Sequence, residues 1–180
     1  METSTYLIKT CTPFLWILIA CVGAALRSRG VEDRAGRLEI WQRWWAIVAL
    51  GCGSVWMTVS FLTIGDYMAD TIGFTRSPFQ FEIAFANLAL AVGAFRSASG
   101  SARERLTVGL LAAAFLWGAT VGHVYQWFVH GDHQPGNGGG ILVYDVGIPA
   151  VMIILAVVQS RQQKANPRDE VVSGTAVALR

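Results

Sequence analysis

Three acidic or imidazole side chains lie inside apolar stretches of this sequence, where a charge is costly to bury. They are Glu82, His123 and Asp145, each within a run that approaches the length of a membrane-spanning helix. Ionisable groups at membrane depth commonly bind a proton, an ion or a ligand. At a rise of 1.5 Å per helical residue, Glu82 and Asp145 lie about 6 Å, and His123 about 10 Å, below the same membrane face. The sequence therefore predicts that the three side chains meet in the outer half of the bilayer.

Helical spacing predicts that these groups face protein rather than lipid. Glu82 shares its face with a stripe of small residues, which lets neighbouring helices approach closely. Asp145 precedes Pro149 by four residues, and because proline has no N–H, the carbonyl of Asp145 loses its helical donor. A free carbonyl beside a carboxylate suits a cation or a water molecule. The polar residues expected to support the site by hydrogen bonds are Asn87, Tyr125, Gln126 and Asn137.

The loop at 130–140 repeats the same chemistry. It carries His130, Asp132 and His133 but neither Lys nor Arg. Imidazole and carboxylate groups suit a divalent metal ion or a proton, whereas a phosphate would need Arg, Lys or a helix N-terminus. A divalent metal ion is therefore the one cofactor that the sequence suggests. Its candidate ligands are Glu82, His123 and Asp145, with His130 as a weaker fourth.

Three interpretations of this polar set stay open. In the first, the groups hydrogen-bond one another and only hold the helices together. In the second, they bind a proton or a divalent metal ion. In the third, they line a pocket for a small molecule such as a quinone or a lipid headgroup. The cost of burying such groups calls for one of these explanations, but it does not choose between them.

The elements that must position these residues are transmembrane helices. Hydrophobic residues make up 53% of the chain and charged residues only 14%, against roughly 25% charged residues in a soluble domain. So few charges cannot cover a water-facing surface, which predicts contact with a lipid bilayer, and no basic stretch is dense enough to indicate nucleic acid binding. We predict an all-α integral membrane bundle in a single domain, 1–160. Its five spans are expected at about 6–26, 44–64, 79–95, 106–129 and 141–158.

The charges between the spans predict their orientation. Of the 14 Lys and Arg residues, all but Lys9 and Arg76 fall between spans one and two, between spans three and four, or after span five. Positive residues stay on the cytoplasmic side, so the N-terminus is predicted outside and the C-terminus inside. Four spans would remain if the first were cleaved as a signal peptide or the fifth were re-entrant. We favour a retained first span, because Arg27 and Arg29 follow it directly and no A-x-A-like cleavage site comes first.

Two further segments are expected to lie outside the bilayer on the cytoplasmic side. Residues 31–43 are predicted to form a short helix on the membrane surface, with Trp41, Trp44 and Trp45 as an anchor in the headgroup zone. The tail at 161–180 is polar and shows no strong helical periodicity. We expect this tail to be largely disordered.

Four short motifs fall between residues 78 and 150. They are PFQFEI at 78–83 followed by Ala86-Asn87, GHVYQ at 122–126, PGN at 135–137, and Tyr144-Asp145 with Pro149. This part of the chain resembles a family of small bacterial multi-pass membrane proteins that carry no assigned activity. The resemblance implies a location in the bacterial cytoplasmic membrane and brings no substrate, and His130 and His133 lie outside its pattern. The polar set that it implies is Glu82, Asn87, His123, Gln126, Asn137 and Asp145.

The function that these residues favour is the binding or transport of a proton, a divalent cation or a small molecule. The first alternative is an accessory subunit of a larger membrane complex, or self-association, because small residues such as Gly118 and Gly122 can face a partner helix. The second is a membrane-embedded enzyme with Glu82 or Asp145 as general base. The sequence contains no nucleophile elbow, zincin motif or dinucleotide fingerprint, so we lean away from an enzyme and assign no catalytic residue.

Overall fold

The computed structural model describes residues 3–165, and these residues form helices and connecting loops without any strand. The prediction of an all-α protein is therefore confirmed. The α-helices are α1 Thr3–Cys11, α2 Phe14–Arg27, α3 Arg34–Trp44, α4 Gly53–Thr71, α5 Phe79–Ala98, α6 Ala102–Val129 and α7 Gly140–Ala165. A π-helical segment, Trp45–Cys52, joins α3 to α4, and a 3₁₀ turn, Pro135–Asn137, precedes α7.

Four helical stretches among the described residues are long and apolar enough to cross a membrane. The first runs through α3, the π-helical segment and α4, over the 38 residues of Arg34–Thr71. It is kinked at Ile64, where the backbone angles (φ −133°, ψ 39°) are not helical. The others are Phe79–Ala98, Ala102–Val129 and Pro135–Gln163. The pair formed by α1 and α2 makes a fifth if the bent pair counts as one span. By length and composition, four or five helical stretches of residues 3–165 could thus cross a membrane.

The first apolar run is not the single helix that we predicted. It bends by 47° between α1 and α2, and Pro13 stands at the bend. Proline removes a backbone donor, and its ring disfavours the helical conformation at the preceding residue, Thr12. The break lets α1 leave the line of α2 and reach the loop that precedes α7.

The predicted surface helix is instead the start of the long second span. Asp33 caps α3 by accepting hydrogen bonds from the backbone N–H groups of Ala35 (3.1 Å) and Gly36 (2.7 Å). The helix then continues past Trp44 into the core. Trp45, which we expected in the headgroup zone, is 5% exposed and packs among alanines and leucines in the core. The anchor prediction is therefore wrong for this tryptophan.

The helices that carry the candidate site pack closely because small residues line their contacts. Helices α6 and α7 pack along each other, as do α4 and α5. At Gly109 of α6, an added Cβ would lie 3.1 Å from the side chain of Ile153 on α7, so only a very small residue fits there. Large apolar side chains cover much of the outer surface, for example Val92, Val121 and Phe128. Such a surface suits lipid better than water.

Helix α6 begins at a well-formed cap, and α7 extends beyond its predicted end. Ser101 accepts a hydrogen bond from the N–H of Glu104, and the Glu104 carboxylate accepts one from the N–H of Ser101, which forms a capping box. Helix α7 continues to Ala165, so the first five residues of the expected tail at 161–180 are helical. The prediction of disorder for the rest of that tail, 166–180, lies outside the described residues.

Candidate functional site

Two of the predicted site residues, His123 and Asp145, meet between α6 and α7. The Nε2 atom of His123 lies 3.9 Å from Oδ2 of Asp145. Their side chains are only 12% and 4% exposed, respectively. Both stand within two turns of the helix ends that face residues 130–140, which we call the loop end of the bundle. The sequence-based prediction that these two side chains share one level is thus matched by their positions.

The carboxylate of Asp145 has an unused oxygen. Oδ2 is buried and has no hydrogen-bond partner among the described residues. Its 3.9 Å separation from His123 is longer than a hydrogen bond, which needs about 2.7–3.2 Å for nitrogen and oxygen. Buried polar atoms in native proteins nearly always have a partner. The pair is therefore close enough to interact after a small side-chain rotation but is not hydrogen-bonded in this arrangement.

Asn137 holds the other side of the His123 ring. Its Oδ1 lies 2.9 Å from Nδ1 of His123, and its Nδ2 donates to the backbone carbonyls of Ile72 (2.9 Å) and Asp132 (3.4 Å). Asn137 is fully buried. One amide side chain thus links α6, the end of α4 and the loop before α7.

The loop around Asn137 is inserted between helices rather than solvated. Pro135, Asn137, Gly138 and Gly140 are buried. An added Cβ at Gly136 would lie 2.8 Å from the backbone oxygen of Thr71, and one at Gly138 would lie 2.8 Å from the Trp127 ring. The glycines of this loop therefore allow close contact with α4 and α6, which sequence reasoning did not anticipate. We call residues 134–140 the cap.

Tyr144 fixes α7 against the long second helix. Its hydroxyl donates to the backbone oxygen of Ala49, at 3.2 Å, inside the π-helical segment. A Cβ at Gly53 would fall on that hydroxyl, so Gly53 provides the space for it. Tyr144 immediately precedes Asp145, and its anchoring therefore sets the position of the carboxylate.

The structure does not bring Glu82 to the pair. Glu82 is exposed and forms no hydrogen bond or ion pair within residues 3–165. It lies in the first turn of α5, where a carboxylate is favoured by the positive end of the helix dipole and can stay near water. Asn87, which we expected to orient the site, is buried but donates to the carbonyl of Ile83 in its own helix (3.0 Å). The predicted meeting of three ionisable groups is reduced to two.

The remaining predicted residues lie at the edge of the loop end. The His130 ring packs edge-on against Tyr125 with centroids 5.1 Å apart, and the His133 ring lies 4.5 Å from Trp127. Gln126 contributes its backbone carbonyl, which accepts from the N–H groups of His130 (3.2 Å) and Asp132 (3.0 Å). Neither exposed histidine joins the His123–Asp145 pair. In the part of the chain that the structure describes, no group of three His, Cys, Asp or Glu residues is placed to hold a metal ion.

The acidic groups in the last two turns of α4 are neutralised by a nearby arginine. Arg76 binds Asp70 through two hydrogen bonds, of 2.9 and 2.6 Å, and lies 3.7 Å from Asp66. Asp70 raises the pKa of the Arg76 guanidinium above its ordinary value. The Lys9 ammonium group lies 4.4 Å from the centre of the Tyr67 ring. The loop end is therefore less acidic than the loop at 130–140 suggested on its own.

Sequence reasoning missed a buried charge at the opposite end of the bundle. Arg105, in the second turn of α6, is 2% exposed. Its guanidinium binds both carboxylate oxygens of Glu39 at 2.7 Å and also donates to Gln42 (2.8 Å) and Gln159 (3.4 Å). It further donates to the carbonyls at the end of α5, those of Ser97 and Ala98.

This group of four side chains, Glu39, Gln42, Arg105 and Gln159, is called the arginine cluster below. It connects α3, α5, α6 and α7, since Gln42 also donates to the carbonyl of Leu155 on α7 (2.9 Å). We had counted Arg105 only as a loop charge that sets orientation. The signal that could have found it is the i, i+3 spacing of Glu39 and Gln42, which places two polar side chains on one face of α3.

Comparison with known proteins yields a family but no activity. No curated protein and no solved structure matches the chain. A family model described as "Family of unknown function (DUF6790)" matches residues 10–165. The match covers most of the chain and includes the His123–Asp145 pair and the arginine cluster. It extends well beyond residues 78–150, which contain the four motifs. The chain therefore belongs to DUF6790, a family of unknown function.

Proposed function

We propose that this chain is a multi-pass membrane protein that binds and releases a proton at the His123–Asp145 pair. The observation that carries the proposal is the buried Oδ2 atom of Asp145, which has no hydrogen-bond partner within residues 3–165 and lies 3.9 Å from Nε2 of His123. A carboxyl and an imidazole at this distance can hold one proton in either of two ways. The proton resides on the carboxyl, or it moves to the imidazole and leaves an ion pair.

Both arrangements keep the pair electrically neutral overall, which matters in a buried site. An isolated charge removed from water costs far more than a paired one. Adding a second proton makes the pair positive, and removing the shared proton makes it negative. The free energy of gaining or losing a proton therefore depends on the access of solvent and on the surrounding helices, as expected for a proton-binding site in a membrane.

The same geometry argues against a metal ion or a small molecule as the ligand. A metal site in proteins usually has at least three protein ligands, and Glu82 does not supply a third. A groove of about 370 Å³ does open at the loop end, but its walls come from residues 73–80 and Gln126. Neither His123 nor Asp145 lines that groove, so a ligand bound there would not contact the pair.

The orientation that we propose places the loop end outside and the arginine cluster at the cytoplasmic side. It rests on the distribution of Lys and Arg, since only Lys9 and Arg76 lie toward the loop end. The proton site would then open toward the outer face. Cysteine labelling of residues 130–134 with a membrane-impermeant reagent in intact cells would test this orientation, and labelling only after lysis would contradict it.

Proton binding can be tested by titration of the purified protein in lipid nanodiscs. Proton uptake is measured as the pH is lowered, for the wild type and for Asp145→Asn. We expect the variant to bind about one proton fewer per chain. The matched control is Glu82→Gln, which removes an exposed carboxylate near the same end and should leave the proton uptake of the His123–Asp145 pair in place. Equal curves for wild type and Asp145→Asn would contradict the proposal.

One observation favours a second candidate, an accessory subunit in a membrane complex. Positions that a Cβ would occupy at Gly118 and Gly122 of α6 have no atom of the described chain within 4 Å. Paired glycines at this spacing allow a partner helix to approach closely. Gly118→Leu should then abolish copurification of a membrane partner after mild solubilisation. A wild-type chain that purifies as a monomer without a partner would remove this candidate.

A further inference from the structure

The orientation of the Asn137 amide determines which nitrogen of His123 carries hydrogen. The two partners of Asn137 Nδ2 are the backbone carbonyls of Ile72 and Asp132, which only accept hydrogen bonds. The NH₂ group must therefore point toward them, and Oδ1 must point toward His123. Because Oδ1 also only accepts, the Nδ1 atom of His123, 2.9 Å away, has to be the donor.

This assignment leaves a lone pair on the opposite side of the ring. A neutral imidazole carries one hydrogen, and if that hydrogen is on Nδ1, then Nε2 is an acceptor. Nε2 is the atom that faces Oδ2 of Asp145. We propose that Asn137 is a positioning residue that locks neutral His123 in the Nδ1–H tautomer, so that Nε2 is the atom that exchanges a proton with Asp145. The role of this tautomer in proton exchange rests on the proposed function, but the tautomer assignment itself does not.

The proton step that this tautomer allows is balanced within the pair. The O–H bond of protonated Asp145 breaks, an N–H bond forms at Nε2, and the products are a carboxylate and an imidazolium. The Nδ1–H···Oδ1 bond to Asn137 persists through the step, since an imidazolium still donates from Nδ1. In the other tautomer, Nε2 would already carry hydrogen, and neutral His123 could not accept the proton on the side that faces Asp145.

The lock depends on the position of the cap. Asn137 lies between Gly136, which contacts the backbone at Thr71, and Gly138, which packs against Trp127. Side chains larger than hydrogen at these glycines would push the cap away from α4 or α6. Within residues 3–165, the titratable group that approaches the ring is Asp145 of α7, because Asp132 meets Asn137 only through its backbone carbonyl and its carboxylate accepts from the N–H of Gln134. The tautomer of His123 therefore depends on the packing of the cap against α4 and α6.

The test is nitrogen NMR of the protein labelled with ¹⁵N in its histidine rings, in lipid nanodiscs and at a pH where His123 is neutral. His130→Gln and His133→Gln assign the resonances. We expect a protonated-type Nδ1 and an unprotonated-type Nε2 signal for His123 in the wild type. Asn137→Ala should exchange these two signals for most of the population, whereas Asn137→Asp, which keeps an acceptor at the same place, should retain them.

A second pair of variants keeps the test independent of the Asn137 side chain. Gly136→Ala should also change the tautomer by displacing the cap. Gly118→Ala should not, because no neighbouring atom of the described chain lies within 4 Å of the added Cβ. An Nε2–H tautomer in the wild type, or an Nδ1 signal that Asn137→Ala leaves in place, would overturn the inference. The NMR result does not depend on proton uptake, so a failed titration of Asp145 would contradict the proposed function and leave this inference standing.

Discussion

The arginine cluster and the His123–Asp145 pair differ in how completely their hydrogen bonds are made. At one end, every nitrogen of the Arg105 guanidinium has an acceptor, and its charge is balanced by the Glu39 carboxylate. At the loop end, the Asp145 carboxylate keeps an oxygen without a partner in the described chain. A satisfied network favours a single arrangement, whereas an unsatisfied group can change its state at little structural cost. We infer that the arginine cluster holds the helices and that the His123–Asp145 pair carries the chemistry.

The largest expected effect is the loss of the arginine. Arg105→Ala leaves the Glu39 charge and the side chains of Gln42 and Gln159 without their shared donor, so we expect a loss of about 3–5 kcal/mol in the free energy of unfolding. Thermal unfolding in detergent, followed by helical circular dichroism, measures it. Arg103→Ala is the matched control, since Arg103 is exposed two residues away in the same helix. Equal melting temperatures for the two variants would mean that the cluster does not hold the helices.

A smaller loss of stability is expected when an uncharged member of the arginine cluster is removed and the charges of Arg105 and Glu39 are kept. Gln42→Ala deletes a buried hydrogen bond from Arg105 and a part-buried one to the Leu155 carbonyl. The unpaired groups should lower the free energy of unfolding by about 1–3 kcal/mol. The same unfolding measurement applies, with Gln162→Ala on α7 as a control, because Oε1 of Gln162 accepts no hydrogen bond within residues 3–165. An unchanged stability in Gln42→Ala would show that Arg105 and Glu39 suffice.

At the loop end, removal of the charge should leave stability nearly unchanged. Asp145→Asn replaces a buried carboxyl group, whose Oδ2 has no hydrogen-bond partner within residues 3–165, by an amide of the same shape. We therefore expect the free energy of unfolding to change by no more than about 1 kcal/mol. Urea or thermal unfolding in detergent would measure this. A loss as large as that of Arg105→Ala would show that the pair is structural, and the contrast between the two ends would disappear.

The smallest effect is expected at the exposed ion pair beyond α4. Arg76→Ala removes the two hydrogen bonds to Asp70, but both side chains are about half exposed. Solvent-exposed pairs of this kind contribute roughly 0–1 kcal/mol, less at high salt. Unfolding at low and high salt should therefore show little difference from the wild type. A loss above that range at both salt concentrations would indicate that Arg76 holds the loop end as Arg105 holds the other.

The sequence was sufficient for the helical class and for one half of the site. Apolar run lengths gave the helices, and counting residues from the span ends placed His123 and Asp145 at one level. The same counting failed for Glu82, because depth along a helix does not say whether the first turn faces water or protein. It also failed for Arg105, since a charge at a span end looks like a loop charge until α3 is known to continue into the bundle. The bend at Pro13 was readable from the proline itself.

The close contacts of the cap could not be predicted from the sequence for a different reason. The glycines at 136 and 138 match no phosphate-loop spacing, and nothing in the local sequence indicates that α4 and α6 approach them. Asn137 could be chosen as a polar candidate, but its three hydrogen bonds join elements that are up to 65 residues apart in the chain. Such long-range contacts are decided by the packing of the whole bundle.

The most direct test of the account is infrared spectroscopy of the protein with ¹³C in its aspartate carboxyl groups. Difference spectra between high and low pH, for wild type and Asp145→Asn, report whether a buried carboxyl gains a proton. The account predicts a C=O band of a protonated, weakly hydrogen-bonded carboxyl in the wild type, which is absent in Asp145→Asn and altered in His123→Gln. A wild-type spectrum without this band, or one identical to that of Asp145→Asn at every pH, would contradict it.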